Sequence, residues 1–484
     1  MSAPLWTVDA MAAAMRAERG GALPAAIDGI SIDSRSLAPG EAFFAIKGDT
    51  HDGHGFVAAA LQKGAGLAVV AQAKRGEMPA DAPQLVVPDV LAGLGDLAAA
   101  ARARSQGKIV AVTGSVGKTS TKEALRLALA RDGETHASVA SFNNHWGVPL
   151  SLARLPQQAR YGVFEIGMNH AGEITPLTRL VRPHVAIVTT IAPVHLEFFG
   201  SLDAIADAKA EIFLGVAPGG AAVINRDNAQ FARLERHAGE AGVARIVTFG
   251  EHKRADARLI RYALLPEAST VEAEILGHRV AYKIGTPGKH LVVNSLAVLA
   301  AAQLVGADLA LAALALAEQA PAAGRGTRIA LTVPGGSALL IDESYNANPA
   351  SMRAALALLG QAPIGARGRR IAVLGDMLEL GAVGADLHRE LVGAIREHAI
   401  DLVFCAGPLM QALWQALPSE RRGGYAKDSA ALEPEVLSSV RGGDAVMVKG
   451  SFGSRMGPIV KALVRRFPAP AAADAAPDRI SAQG

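Results

Sequence analysis

The chain has 484 residues, 48 Lys and Arg against 45 Asp and Glu, a net charge of +3, and 50% hydrophobic residues. That length leaves room for roughly two to four domains with a core in each, and the composition is that of an ordinary soluble enzyme. A weak net charge with only 4% aromatics excludes nucleic acid as the main partner, and a single cysteine, Cys405, excludes a disulfide framework.

The first segment, residues 1 to about 106, opens on a stretch without the basic and apolar regions of a signal peptide. It carries short strand candidates (ISIDSRS, EAFFAIKG, LAVVAQ, QLVVPD) around one helical piece, FVAAALQKG. The second segment, 107–324, begins with KIVAVTGSVGKTSTKEALRLALA, Lys108 to Ala130. Here a β-branched run breaks at Gly114, passes through Ser115, Val116 and Gly117, and enters a helix at Lys118-Thr119-Ser120. Strand, glycine loop and helix start in that order build a phosphate cradle. Lys118 reaches the β/γ-phosphates and the hydroxyl of Thr119 or Ser120 can hold Mg²⁺. An ordinary glycine turn with a solvated lysine is the bland alternative, and the agreement of four features in order argues against it.

Further strand candidates, YGVFEIG, HVAIVTT, AAVINRD and RIVTFG, are continuous apolar runs spaced by helices, the pattern of a parallel sheet covered on both faces. Ligands of such sheets bind beyond the carboxyl ends of the strands. Those ends include Glu165, a sensible Mg²⁺ ligand or a helix cap, and His195, a metal ligand or a hydrogen-bonded loop histidine. By pattern Lys209 is an unremarkable helix lysine. A β-like patch over 257–284 precedes the apolar region Leu291 to Ala320, which Asn294, Gln303, Gly306 and Asp308 interrupt too often for a membrane span; it reads as two buried helices.

The third segment, 325–468, alternates SALLIDESY, RRIAVLGDM, DLVFCAG and DAVMVKGS with helices near 349–361, 384–398, 408–416 and 430–441, a doubly wound α/β domain. Its strand ends (Asp342 to Pro349, Gly375-Asp376-Met377, Cys405-Ala406-Gly407, Lys449-Gly450-Ser451) outline a second crevice. Closing this domain over the nucleotide domain brings two substrates together and excludes water. Residues 469–484, rich in Ala, Pro and Asp, read as a disordered tail.

The motifs DSRSLAPGEAFFAIKG, DGHGFV, TGSVGKTS, SFNNHWGVPLSL, EIGMNH, HLEFFGS, AKAEIF, DESYNANPASM, LGDMLELG and KGSFGSRM resemble those of the Mur ligase family of peptidoglycan synthesis, over about residues 28 to 465. YNANP, GDMLELG and the KGS segment resemble its dipeptide-adding branch; the D-N-P-R motif of the branch that adds the third amino acid is absent.

The resemblance implies an α/β protein of three domains: a small uridine-nucleotide domain (1–106), a central P-loop, parallel-sheet ATPase domain (107–324) and a Rossmann-like, doubly wound C-terminal domain (325–468). It implies that ATP phosphorylates the terminal carboxylate of a UDP-N-acetylmuramoyl-tripeptide and that the amine of D-alanyl-D-alanine attacks the acyl phosphate. Lys118 then contacts the transferred phosphate, Thr119, Glu165 and His195 serve the Mg²⁺ sites, and Lys209 is carbamylated beside them. Asn294 meets the adenine end, Arg325 the phosphates, and Tyr345, Asn346 and Asn348 the place where nucleotide and dipeptide meet, with Ser451 beside them. Ser34, Arg35 and Lys47 serve the uridine nucleotide. Glu343 stands where the family often has a second Asp, and Thr190, where many relatives have Asn, receives no role. The whole reads as a monomeric cytoplasmic enzyme.

Two other readings were weighed. Folylpolyglutamate-type and cyanophycin-type ligases share the phosphate loop but are not expected to carry the DSR-to-DGH first domain. A GTPase-like switch needs N-K-x-D, and His252 to Asp256, HKRAD, lacks the Asn.

Overall fold

The computed structural model describes residues 3–48, 51–79, 81–194 and 196–469. A two-stranded antiparallel pair, Trp6–Thr7 with Ala26–Ile27, lies in the first segment, and three large sheets follow one another along the chain. The first has five strands in the order Glu18–Gly20, Gln84–Val87, Leu67–Ala71, Glu41–Phe44, Gly29–Ser31, parallel except for the first. Beside the expected short helix, here Val57–Gln62, stand two that the sequence reading did not name, Val8–Met15 and Val90–Arg104. The second of these carries Gly93 and Gly95 inside an alanine-rich run, which blurs its helical period.

The central sheet has nine strands. Seven are parallel, with Lys108–Thr113 between Tyr161–Glu165 and Val185–Val188 near the middle. The β-like patch adds Ala257–Leu264 to the parallel set and then turns back twice as antiparallel Ser269–Ile275 and His278–Ile284. The central strands are apolar on both faces because helices cover both. The alanine-rich region forms two helices, Lys289–Leu304 and Leu309–Ala315, as expected. Small side chains let the first pack closely over the sheet.

The third sheet has six strands. The four expected strands form its middle, Gly336–Glu343, Ala445–Lys449, Arg370–Gly375 and Leu402–Ala406, all parallel. Two edges escaped the reading: antiparallel Thr327–Val333, and Arg422–Ala426, whose RGGYA sequence carries too little apolar signal. Cys405 is buried in strand Leu402–Ala406, next to the edge strand Arg422–Ala426, where burial raises its thiol pKa.

One continuous core runs from Trp6 and the first sheet through helix Val90–Arg104 into one face of the central sheet. Trp6 Nε1 donates to Ala153 O, the Arg104 guanidinium lies 3.4 Å over the Trp6 ring, and Arg154 donates to Ile30 O at 2.7 Å. The third domain has its own two core layers. Its covalent joint to the centre is Gly324-Arg325-Gly326, with φ of 70° at Gly324 and 99° at Gly326, the left-handed region that glycine enters without strain. Among the described residues, no helix is long and apolar enough to cross a membrane.

Candidate active site

The loop after strand Lys108–Thr113 is set by two close approaches. A Cβ on Gly114 would lie 2.0 Å from Thr189 Oγ1, and one on Gly117 would lie 2.4 Å from Asn294 Nδ2. Helix Lys118–Ala130 starts directly at Gly117 with no side-chain cap, so its first N–H groups and dipole face the loop. Lys118 Nζ is folded back onto Gly114 O at 2.7 Å. Ser115 is committed to the protein, exchanging hydrogen bonds with the Ala192 backbone, and Ser120 Oγ donates to Gly117 O. Thr119 is buried at the helix start, the place from which a hydroxyl can reach a phosphate-bound cation.

Four charged side chains converge on this loop from separate parts of the chain. Burial lowers the Lys118 pKa; Glu165 opposes that shift and Arg325 adds to it. Lys209, in the last turn of helix Leu202–Ala210, is 1% exposed, with no hydrogen-bond or ion-pair partner for its Nζ among the described residues. Burial, reinforced by the Lys118 charge, holds its amine well below the ordinary lysine range. Three cationic groups beside one carboxylate make a site short of negative charge.

Glu165, at the end of strand Tyr161–Glu165, is also 1% exposed. Its Oε1 accepts from Asn143 Nδ2 at 2.7 Å, while Oε2 is buried without a partner among the described residues. A buried carboxylate oxygen left unpaired is costly, and a cation removes the cost. Among the described residues, no group of three His, Cys, Asp or Glu side chains could hold a metal. Mg²⁺ is usually held by one or two carboxylates together with substrate phosphates, and Glu165 supplies one such carboxylate. His195 lies outside the described residues.

The third domain faces this cluster. The Arg325 guanidinium stacks 4.2 Å over the Tyr345 ring, whose centroid is 6.1 Å from that of Phe452, an aromatic left 77% exposed. Lys449 Nζ donates to Glu343 Oε2 at 3.1 Å and to Asn346 O at 2.9 Å, tying two strand ends together. Asn348 Oδ1 caps helix Pro349–Gly360, and buried Ser451 Oγ joins Ala347 O to the Leu378 N–H. Both side chains therefore shape the crevice from within.

Between the two domains lies a cavity of about 460 Å³. Val116, Gly117, Asn225, His290 and Asn294 line it from the central domain, and Ala354, Ala357 and Leu358 from helix Pro349–Gly360. The phosphate loop, through Val116 and Gly117, and the helix Pro349–Gly360, through Ala354, Ala357 and Leu358, thus border one space, which Tyr345 to Pro349 themselves do not line. Ser34, Arg35 and Lys47 lie apart, beyond the carboxyl ends of the first sheet. Arg35 is paired with Asp33 at 2.8 Å, and the Ser34 carbonyl accepts from Lys63.

Sequence reasoning gave no role to Asn143, Asn225 or Phe452. The first sits in the quoted motif SFNNHWG, but nothing in its spacing tells that it meets Glu165, 22 residues on.

Fold and site together define a phosphate-loop protein of the nucleotide-using α/β class, with a separate doubly wound domain across a shared cavity. Three family models match in succession: "Mur ligase family, catalytic domain" over 26–102, "Mur ligase middle domain" over 112–302 and "Mur ligase, glutamate ligase domain" over 325–452. The chain belongs to the Mur ligase family. It is 34% identical to the UDP-N-acetylmuramoyl-tripeptide–D-alanyl-D-alanine ligase of Escherichia coli strain K12, over 90% of this chain and 94% of that one. It is 31% identical to the enzyme of the same name from Rickettsia prowazekii, covering 89% and 94%. Crystal structure I of MurF from Acinetobacter baumannii superposes with a TM-score of 0.80 at 31% identity, covering 96% of this chain and 100% of that one.

Proposed function

We propose that this chain is an ATP-dependent amide ligase. It joins D-alanyl-D-alanine to UDP-N-acetylmuramoyl-tripeptide, giving the UDP-muramoyl-pentapeptide of peptidoglycan synthesis with ADP and phosphate. The observation that carries the reading is the grouping of Glu165, Lys209 and Arg325 around Lys118, in a phosphate loop whose Val116 and Gly117 line a cavity shared by two domains. Likeness to ligases of that name along nearly the whole chain supports the choice of substrates.

In this reading residues 1–106 hold the uridine nucleotide through Ser34, Arg35 and Lys47, residues 107–324 hold ATP, and residues 325–468 deliver the dipeptide. The loop from Gly114 to Ser120 cradles the phosphates while Asn294 and the cavity take the base end. Lys118 leaves Gly114 O for the transferred phosphoryl group and, with Arg325, neutralises charge as the terminal carboxylate oxygen attacks phosphorus and ADP leaves. The dipeptide amine then attacks the acyl-phosphate carbon, the C–N bond forms, the C–O bond to phosphate breaks, and the amine gives up a proton. Tyr345, Asn346, Asn348 and Ser451 shape the edge from which that amine arrives.

Thr119 and Glu165, with His195, would hold Mg²⁺, whose chemistry there is charge stabilisation on phosphoryl oxygens. Lys209 is suited to carbamylation. A buried amine whose pKa is lowered can, in its deprotonated form, add through nitrogen to CO₂ and lose a further proton, placing an anion beside the proposed metal ligands. The reaction belongs in the cytoplasm, where ATP is supplied, and one chain carries all three binding regions, so a monomer suffices. The experiment is phosphate release from ATP with UDP-N-acetylmuramoyl-tripeptide, with and without D-alanyl-D-alanine. Full release should require the dipeptide, and equal turnover with L-amino acids would overturn the substrate assignment.

A further inference from the structure

Lys122 is 0% exposed and takes no part in the contacts described above. It lies one turn beyond the phosphate loop on helix Lys118–Ala130 and points to the segment 138–146. Its Nζ donates to Ser138 O at 2.7 Å and Ala140 O at 2.8 Å, and pairs with Glu123 Oε1 at 2.7 Å. Three acceptors use the three N–H donors of an ammonium group. The segment it grips is unusual: Ala140 has φ of 47°, a conformation that residues with a Cβ rarely adopt without outside support.

The same segment touches Glu165 twice. Ser138 Oγ accepts from the Glu165 N–H at 3.4 Å, and the Asn143 side chain donates to Glu165 Oε1 at 2.7 Å. Asn143 is itself pinned by the Gly167 N–H, which donates to its carbonyl at 2.8 Å. Gly167 permits this approach, since a Cβ there would lie 2.8 Å from the Asn143 side chain. One carboxylate oxygen is thereby tied, and the other, Oε2, is left buried without a partner among the described residues. A hydrophobic side chain of similar length would fill the space of Lys122 but leave two carbonyls without donors.

We propose that Lys122 is a positioning residue: by anchoring the Ser138–Asn143 segment it determines which oxygen of Glu165 is offered to the divalent cation of the ATP site. The proposal rests on the ligase reading. Changing an outer partner of a metal ligand typically costs about 10- to 100-fold in metal affinity.

The test is a Mn²⁺ titration of the full chain with ADP, followed by electron paramagnetic resonance. Lys122→Met and Asn143→Ala should each weaken Mn²⁺ by about tenfold or more. The double variant should bind no more weakly than the weaker single variant, because both changes break one relay. Wild-type Mn²⁺ affinity in Asn143→Ala, or losses that multiply in the double variant, would overturn the proposal. Should Lys122→Met fail to fold, Lys122→Gln takes its place in the single and double variants, with the same outcomes deciding, while Asn143→Ala tests the tether to Glu165. Absence of Mn²⁺ binding to the wild-type chain with ADP would overturn the ligase reading as well, whereas binding with unaffected variants removes the relay alone.

Discussion

The guanidinium of Arg325 lies 4.2 Å over the ring of Tyr345 and, from the same joint, places Nη2 3.5 Å from Ser141 Oγ in the central domain. One side chain thus ties the hinge to both walls of the cleft. Its planar fork can stack and bridge at once, which a lysine ammonium cannot. Arg325→Lys should therefore lower kcat by about 10- to 100-fold although charge is conserved, an effect of a few kcal/mol on the barrier. Steady-state phosphate release checks this, and a fully active lysine variant would show that charge alone matters.

Lys118 is the cation nearest the loop and already lies within its curve, bonded to Gly114 O. Lys118→Ala should reduce ADP release by at least about 10²- to 10³-fold, the usual cost of removing a preorganised donor from developing charge. Its thermal unfolding should stay close to that of the wild type, because the lost side chain caps no helix. Turnover and calorimetry on the same preparation separate the two effects.

Lys209, buried at 1% exposure with its amine pKa lowered, supplies a sharper test of the proposed carbamylation. Lys209→Ala should cripple the reaction, and acetate or another short carboxylate should restore part of it by standing where the carbamate would. Mass spectrometry under CO₂ should add one carboxyl group to the wild type and not to the variant. An active, unrescued Lys209→Ala would remove the role.

Two histidines make stability depend on pH. His184 Nδ1 accepts from the Ile109 N–H at 2.9 Å, and burial, with Arg102 and Lys108 adding to it, lowers its pKa from 6.5 to about 4. His136 is likewise lowered to about 4, by burial first, while the Ser151 carbonyl opposes the shift. A folded pKa below the unfolded one means that the unfolded chain binds the proton first. Stability is therefore lost as pH falls from about 6.5 towards 4, by up to roughly 3 kcal/mol for each group. Urea midpoints measured from pH 7 to 4.5 should fall, and His184→Gln should flatten the slope. An unchanged slope would mean that His184 is not the group responsible.

Much of the frame was legible in the chain. The four strand candidates of the third segment and all five of the apolar central ones, YGVFEIG among them, appear within a residue or two, because fully buried parallel strands are continuous apolar runs. Edges were not legible: Arg422–Ala426 carries two glycines, and Thr327–Val333 alternates rather than running apolar. Within the site, Ser115 and Ser120 share the loop's sequence signature with Thr119, yet their hydroxyls are taken by Ala192 and Gly117. Asn348 and Ser451 show the same limit, since helix capping and strand-end stitching look like ligand chemistry when only residue types are seen.

The phosphate loop, the strand ends and the two-crevice layout were determined by sequence alone, because each is a local sequence of strand, glycine turn and helix start whose geometry follows from nearby residues. Only the tertiary structure decided that Lys118, Glu165, Lys209 and Arg325 share one site, and that Asn143 leaves a single Glu165 oxygen free. Those residues lie far apart along the chain. Parallel strands linked by helical crossovers, and a glycine-flanked joint, bring them together, and the cost of burying charge then gives each its chemistry.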